Sequence, residues 1–540
     1  DIKLTQELCK TVLICAKIVL YNTDERHPKN CLRVFLLTIF KTRGQEEYMR
    51  KKSNVTSEKS QEEKMIEREE RLEENLEEKR ELKEKHEIDM CSGPILKKML
   101  LFAFPLMCSG VLQLLFNAAD IIVVGRFAGD NSLAAVGSTS SLILLLSNLF
   151  IGLSIGANVL VARYFGARKE RELSETVHTA VSLSIISGIA LAVLGILLAK
   201  PILHLMEAPS NVLDLSALYL RIYFLGMPAM MLYNFGSAIL RAKGDTRRPL
   251  KYLTVAGVLN VCLNLFFVIE LNMDVAGVAT ATAISQCVSA ALIIRCLCKE
   301  SGGFKLSFSR LKIYKSKLLT IVQIGLPAGF QGILFSLANV IIQSSINTFG
   351  DVTMAGSAAS ANIEGFVYIA MNAFYQSAIS FTGQNMGAGK YERIRPIMIR
   401  SVLCAAVTGA VLGNLAYLFG PQLLGIYSSS APVVEEGLKR LAVICTTYAL
   451  GGTMDALVGV LRGMGYSVVP MIVSLVGVCA LRIVWLSTIF QMEEFHTVTV
   501  IYLSYPVTWF ITAGVQLLCY LYIMKNKIHK EASAKEEETL

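Results

Sequence analysis

The sequence predicts an all-α membrane protein of twelve transmembrane helices, arranged as two six-helix lobes that enter the bilayer in the same sense. Three observations carry this reading. The 540 residues are 53% apolar and 18% charged, with a mean hydropathy of +0.50. Twelve separate stretches are long and apolar enough to cross a bilayer. A single offset of 221 residues superimposes landmarks of one half on the other. A soluble protein of this length would carry about 25% charged residues. Soluble-enzyme, fibrous and disulfide-scaffold classes are therefore excluded.

The charge is concentrated at the start of the chain. Residues 1–89 hold 19 Lys+Arg and 20 Asp+Glu, leaving 33 basic and 23 acidic residues for the other 451. Two apolar runs in this extension, Val12–Leu20 and Leu32–Phe40, reach about half of what a crossing needs. No basic-then-apolar-then-small pattern marks a signal peptide. Residues 57–89 lack a steady heptad and read as a solvated helix or disordered chain. The chain opens on Asp1 and offers Met49 and Met90 as later starts, so residues 1–89 are treated as an extension that need not be native and receive no function.

A helix must supply about 20 mostly apolar residues to span a hydrocarbon core about 30 Å thick. The stretches that do so are 99–124, 133–162, 176–199, 215–240, 250–270, 275–298, 318–346, 353–385, 397–420, 435–461, 466–489 and 499–524. Lys and Arg are retained on the cytoplasmic side of short loops. With the N-terminus inside, the inner connections and C-terminal tail carry 25 basic residues, against Arg126, Lys200, Lys439 and Arg440 outside. Both termini are thus expected in the cytoplasm. The net charge of +9 is a topology signal, and nucleic-acid binding is not expected.

The offset of 221 aligns Gly129-Asp130 with Gly350-Asp351, Gly166-Ala167 with Gly387-Ala388, and Leu240-Arg241 with Leu461-Arg462. It also aligns Gly244 with Gly465 and Pro249 with Pro470. The expected organisation is an N-lobe at 90–310, a C-lobe at 311–530 and a charged tail at 531–540. Because six is even, the lobes are related by an axis along the membrane normal, and a substrate site is expected between them.

An ionisable group at bilayer depth costs several kcal/mol, which makes each one a functional candidate. Asp120 lies in the first span, Glu364 in the eighth and Asp455 in the tenth; Arg221 and Arg482 lie in the fourth and eleventh. A carboxyl in an apolar cavity can exchange a proton or sodium ion for a cationic substrate. Asn260 and Asn264, four apart, share one face of the fifth span, and Thr280 and Thr282 add hydroxyls in the sixth. Interhelical glue is the competing role for such residues. Asn234 is the repeat counterpart of Asp455. The thirteen cysteines are scattered without zinc-type spacing, no histidine is central to a span, and no Walker loop occurs. No enzyme activity, cofactor or metal is expected.

The twelve spans, the repeated Leu-Arg-x-x-Gly element (LRAKGDTRRP at 240–249, LRGMGYSVVP at 461–470), the pair GARKE and GAGKY, and VAGVATATAISQ at 275–286 together resemble bacterial multidrug and toxic compound extrusion (MATE) transporters. The resemblance covers about 90–525. It implies an inner-membrane antiporter, coupled to H⁺ or Na⁺, that exports cationic amphipathic compounds as a monomer. It also implies an N-lobe cation site at Asp120, Asn260, Asn264 and Thr282, with Asp455 similar to a tenth-helix acid of the family and Glu364 a substitute on the eighth; with Asn234, placed by the repeat opposite Asp455, these are expected on the substrate cavity. The chain departs from the family pattern at Asn264, where an acid is usual, and so carries one titratable group fewer there. The rival readings are a lipid-linked sugar flippase, which would line its cavity with Arg and Lys, and a channel.

Overall fold

The computed structural model describes residues 87–205 and 210–539; the expected extension falls almost entirely outside the described residues. The described chain is helical, without a strand. Twelve helical spans follow in order: α1 (Ile95–Phe127), α2 (Asp130–Gly166), α3 (Glu170–Leu205), α4 (Ser210–Leu225 and Met227–Lys243), α5 (Arg247–Leu265, continued by a π turn at Phe266–Glu270) and α6 (Asp274–Lys299). Then come α7 (Lys315–Asn347), α8 (Asp351–Gly387), α9 (Ile394–Leu418), α10 (Ala431–Ile444 and Tyr448–Gly463), α11 (Val468–Ser474, a π turn at Leu475–Ala480, and Leu481–Ser487) and α12 (Val498–Thr539).

Among the described residues, nine helices are individually long and apolar enough to cross a bilayer, and α4 and α10, bent by 46° and 50°, bring the number to eleven. The twelfth, α8, is 37 residues long but rich in Ser, Asn, Gln and Gly, and much of it is buried against other helices instead of facing lipid. The two bends fall at repeat-equivalent positions, whereas the π turns of α5 and α11 do not coincide under the offset.

The repeated Leu-Arg-x-x-Gly element has a physical meaning. In each copy the glycine adopts a left-handed backbone, φ +108° at Gly244 and +93° at Gly465. The Gly244 and Asp245 N–H groups donate to the Arg241 and Leu240 carbonyls, each at 3.0 Å. Gly465 and Tyr466 donate likewise to Arg462 at 2.8 Å and Leu461 at 3.0 Å. This is a Schellman cap, in which only glycine avoids a steric penalty at the position after the helix. The sequence motif is thus the stop signal of α4 and α10.

The lobes meet through α1, α2, α7 and α8. Gly152 and Gly156 of α2 lie directly on the backbone of α7 at Gly329, Gly325 and Ile321, where no side chain would fit. Small residues allow such close approach where helices lack a strong hydrophobic drive to associate. At the far end of α2, where it meets the end of α8, Gly166 packs on the Gln384 backbone and Gly387 on that of Arg163. These are repeat-equivalent contacts, so the pseudo-twofold axis passes between them. Arg163 donates to the Met464 carbonyl (3.1 Å) and Gln384 Nε2 to that of Ala242 (2.7 Å). The lobes are therefore joined at the end of the bundle that carries the basic loops. The connection between lobes is itself tied to α3: the Ser307 N–H donates to His178 Nε2 and that of Tyr314 to Thr179 Oγ1, each at 3.2 Å.

Candidate functional site

The N-lobe site is built where α1, α5 and α6 converge. Gly257 of α5 lies against the ring of Phe116, leaving no room for a Cβ, and this close approach holds α1 beside α5. One turn beyond Phe116, α1 presents Asp120; one and two turns beyond Gly257, α5 presents Asn260 and Asn264. Asn264 Nδ2 donates to Asp120 Oδ1 and, at 3.3 Å, to Asn260 Oδ1. Asn260 Nδ2 donates to Thr282 Oγ1 at 3.2 Å, and that hydroxyl donates to Asp120 Oδ2 at 3.5 Å. Asp120, Asn260, Asn264 and Thr282 thus form one hydrogen-bonded cluster whose donors run toward a single carboxylate.

The cluster is enclosed. Asn264 is fully buried and Asn260 nearly so, while Asp120 is half-buried. On the same helices and α4, Val123, Val124, Tyr219, Val268, Val275 and Val278 pack together in an apolar cluster. The Asn264 Oδ1 oxygen is buried without a hydrogen-bond partner. A buried acceptor left unpaired costs about 1–3 kcal/mol. That oxygen and the Asp120 carboxylate together offer a proton or small cation what it needs. Among the described residues no group of three or more His, Cys, Asp and Glu gathers to hold a metal ion, so a bound cation here would rely on one acid and neutral oxygens. Thr280, by contrast, donates to its own helix at the Ala276 carbonyl (2.7 Å) and lies outside the cluster.

The C-lobe departs from expectation at Glu364. Expected as a free negative charge on the substrate cavity, it is buried and held in a fork by Arg440, with Nε to Oε1 at 2.7 Å and Nη2 to Oε2 at 2.9 Å. Ser357 takes a third arginine donor at 2.8 Å. Arg440, counted from sequence among the outer-side basic residues although it falls inside the expected span 435–461, lies within α10. The pair leaves Glu364 no net charge to present. Asp455 is half-buried on α10, two turns before Arg462. Arg462 itself donates to Tyr375 of α8 and, at 2.7 Å, to Gln331 of α7. Asn234 is half-buried and gives its amide hydrogen to the Met230 carbonyl one turn back, at 3.0 Å. Asn234, Glu364 and Asp455 are not brought into one cluster.

Sequence reasoning missed the tyrosine pair and the partner of Arg440, and named Arg482 without its surroundings. Tyr219 and Tyr223 stack at 5.9 Å beside the N-lobe cluster. Arg440 neutralises Glu364. Arg482 is buried at 3% exposure in the C-lobe, with its Nε donating to Thr508 at 3.0 Å. The i,i+4 spacing of two tyrosines was visible in the sequence; the arginine contacts join distant helices and left no local signal.

At the ends of the spans, Lys243 and Arg248 form a buried ion cluster with Glu300, which lies just past α6, Lys243 Nζ being 2.6 Å from Glu300. Burial pushes the Glu300 carboxyl up, but the Lys243 hydrogen bond and the two positive charges outweigh it and hold the group below the usual carboxylate range. This cluster ties the ends of α4, α5 and α6 together and so braces the helices that carry the site.

Comparison with known proteins agrees with this architecture. The family model MatE matches twice, at residues 105–266 and 327–486, within one residue of the repeat offset at either end. The chain is 26% identical over 442 residues to the "Probable multidrug resistance protein YoeA" of Bacillus subtilis, covering 80% of this chain and 94% of that protein. It is 26% identical to a "FAD transporter" of Shewanella oneidensis, over 66% of this chain and 78% of that protein. A solved structure described as the outward-facing conformation of a multidrug resistance MATE family transporter superposes with a TM-score of 0.76 at 21% identity, over 81% of this chain and 98% of the other.

Proposed function

The chain belongs to the MatE family of transporters, and from that premise we propose that it is a cation-coupled antiporter whose coupling ion binds at Asp120. The membrane protein exports small organic compounds, as its relatives do; coupling and antiport are our reading. The observation that supports it is the convergence of Asn264, Asn260 and Thr282 on one half-buried carboxylate, with an unpartnered amide oxygen beside it. In the ionised state Asp120 accepts from both Asn264 and Thr282. A proton or sodium ion neutralises it and competes with those donors, so occupancy is coupled to how α1, α5 and α6 pack. Moving one charge across 100 mV supplies about 2.3 kcal/mol, which supports roughly a 50-fold uphill ratio.

Alternating access then requires the lobes to part at the end where Arg163 meets Met464 and Gln384 meets Ala242, and to close at the other. By the loop charges, that end is the cytoplasmic one, in a bacterial inner membrane with both termini inside. We take the functional unit to be a monomer. Cationic amphipathic compounds are the substrates that a carboxylate-bearing cavity would favour, with Asp455 the C-lobe acid left unpaired by the structure's hydrogen bonds. A second reading, transport of an anionic aromatic compound, is favoured by the buried Arg482 guanidinium. Uptake of a fluorescent organic cation into proteoliposomes, under a pH gradient and then a sodium gradient, tests the proposal. Accumulation driven by either gradient supports it, and accumulation driven by neither contradicts it.

A further inference from the structure

The N-lobe cluster has a counterpart of opposite charge. Moving from α5 to α11 by the repeat offset places Arg482 on the position of Val261, between Asn260 and Asn264. Arg482 is 3% exposed and forms no ion pair with any described carboxylate. The other two buried C-lobe arginines are provided for: Arg440 has Glu364 and Ser357, and Arg462 has Gln331 and Tyr375. Arg482 has only the Thr508 hydroxyl, at 3.0 Å, and its Nη2 has no partner. Its guanidinium carbon lies 3.9 Å from the centroid of the Tyr505 ring and 5.8 Å from that of Trp509, which stacks on Tyr448 at 5.4 Å.

A guanidinium is a planar fork of donors that matches a carboxylate or phosphate bidentately, and its faces stack on aromatic rings. Cation–π contact with Tyr505 stabilises the charge but accepts no in-plane hydrogen bond. The in-plane donors of Nη2 therefore lack what an oxyanion would supply, and the aromatic rings of Tyr505, Trp509 and Tyr448 are gathered beside them, Trp509 and Tyr448 buried and stacked on each other. We infer that Arg482, Tyr505, Thr508 and Trp509 form a subsite in the C-lobe that takes the carboxylate or phosphate of an organic anion carrying an aromatic ring. The inference rests on the transport reading above and extends its substrates to anions and zwitterions, with the acidic N-lobe cluster and the basic C-lobe subsite at matching depths.

The chain has two tryptophans, Trp485 and Trp509, so a Trp485→Phe background leaves Trp509 as the sole reporter beside Arg482. The test titrates the purified full-length protein in detergent with 2-naphthoate and, separately, with naphthylmethylammonium, following Trp509 emission. Naphthoate is expected to quench saturably, and Arg482→Gln to weaken its binding at least tenfold without weakening that of the ammonium probe. Equal naphthoate affinity in the two proteins overturns the subsite, as does an equal loss for both probes. Should the glutamine variant fail to fold, Arg482→Met, of similar volume and without buried donors, decides by the same criterion. Failure of the transport reading would show instead as absence of gradient-driven transport of an organic cation by the unsubstituted protein in vesicles, which is independent of this titration.

Discussion

Asn264 donates its side-chain amide to the Asp120 carboxylate across the α1–α5 contact, joining residues 144 positions apart in the chain. At the place where the family pattern has an acid, this chain has a donor. The substitution leaves Asp120 as the one carboxyl of its cluster, facing an amide donor that stays a donor at every pH, which a second acid would be only while protonated.

Restoring the acid with Asn264→Asp should therefore change the pH dependence. Two carboxylates in contact disfavour simultaneous ionisation, so one proton is held to higher pH. The pH of half-maximal gradient-driven transport should move alkaline by at least about one pH unit. An unchanged profile would remove Asn264 from the environment of the coupling group.

Glu364→Gln should destabilise the protein by about 3–5 kcal/mol, because it leaves the Arg440 guanidinium buried without its counter-charge. Replacing both partners, as Glu364→Gln with Arg440→Met, should recover most of that loss. Thermal unfolding in detergent measures both. A single variant as stable as the parent would mean that the pair does not carry the C-lobe packing assigned to it.

Gly387 rests on the backbone of Arg163, so Gly387→Leu should wedge the lobes apart at the end where they join. Cys91 provides a reporter, since its thiol lies 3.8 Å from Gln384 Oε1 at that junction. Labelling of Cys91 by a water-soluble maleimide, followed by mass spectrometry, should quicken several-fold in the variant. An unchanged rate would argue that the lobes do not separate there.

Glu300 gives a pH dependence with a definite sign. Its carboxyl is held low in the folded protein by Lys243 and Arg248, so its contribution to stability is fully present above the ordinary glutamate value of 4.5 and is lost as pH falls through the lower folded value. The stability difference between the parent and Glu300→Gln should be constant near neutral pH and shrink below about pH 4.5. A gap that persists into that acid range would contradict the assignment.

Much of this was legible in the sequence, for identifiable reasons. The spans announce themselves because lipid tolerates few charges. The repeat survives in its glycines because Gly244 and Gly465 must adopt a left-handed backbone that other residues avoid. Asp120, Asn260, Asn264 and Thr282 stood out as polar groups in apolar helices, and the family resemblance suggested that they belong together. What did not show was pairing between distant helices. Arg440 reads in sequence as an outer-side charge at the start of the tenth span because nothing near it in the chain reveals Glu364, 76 positions away. The bend of α4 falls at Gly226, two residues before Pro228, which lacks the N–H that would bond back across the break, so it was legible; the bend of α10 has no such proline and left no local signal. Arg482 was visible, but its want of a carboxylate partner is a property of the surrounding helices alone.

The most direct test of the account is transport of a fluorescent organic cation into proteoliposomes by the parent protein and by Asp120→Asn, under an imposed pH gradient and then an imposed sodium gradient. The account expects the parent to accumulate the cation under at least one gradient, and the variant, which keeps the shape of the side chain but cannot ionise, to lose at least tenfold of that accumulation. A variant that accumulates the cation as steeply as the parent would contradict it.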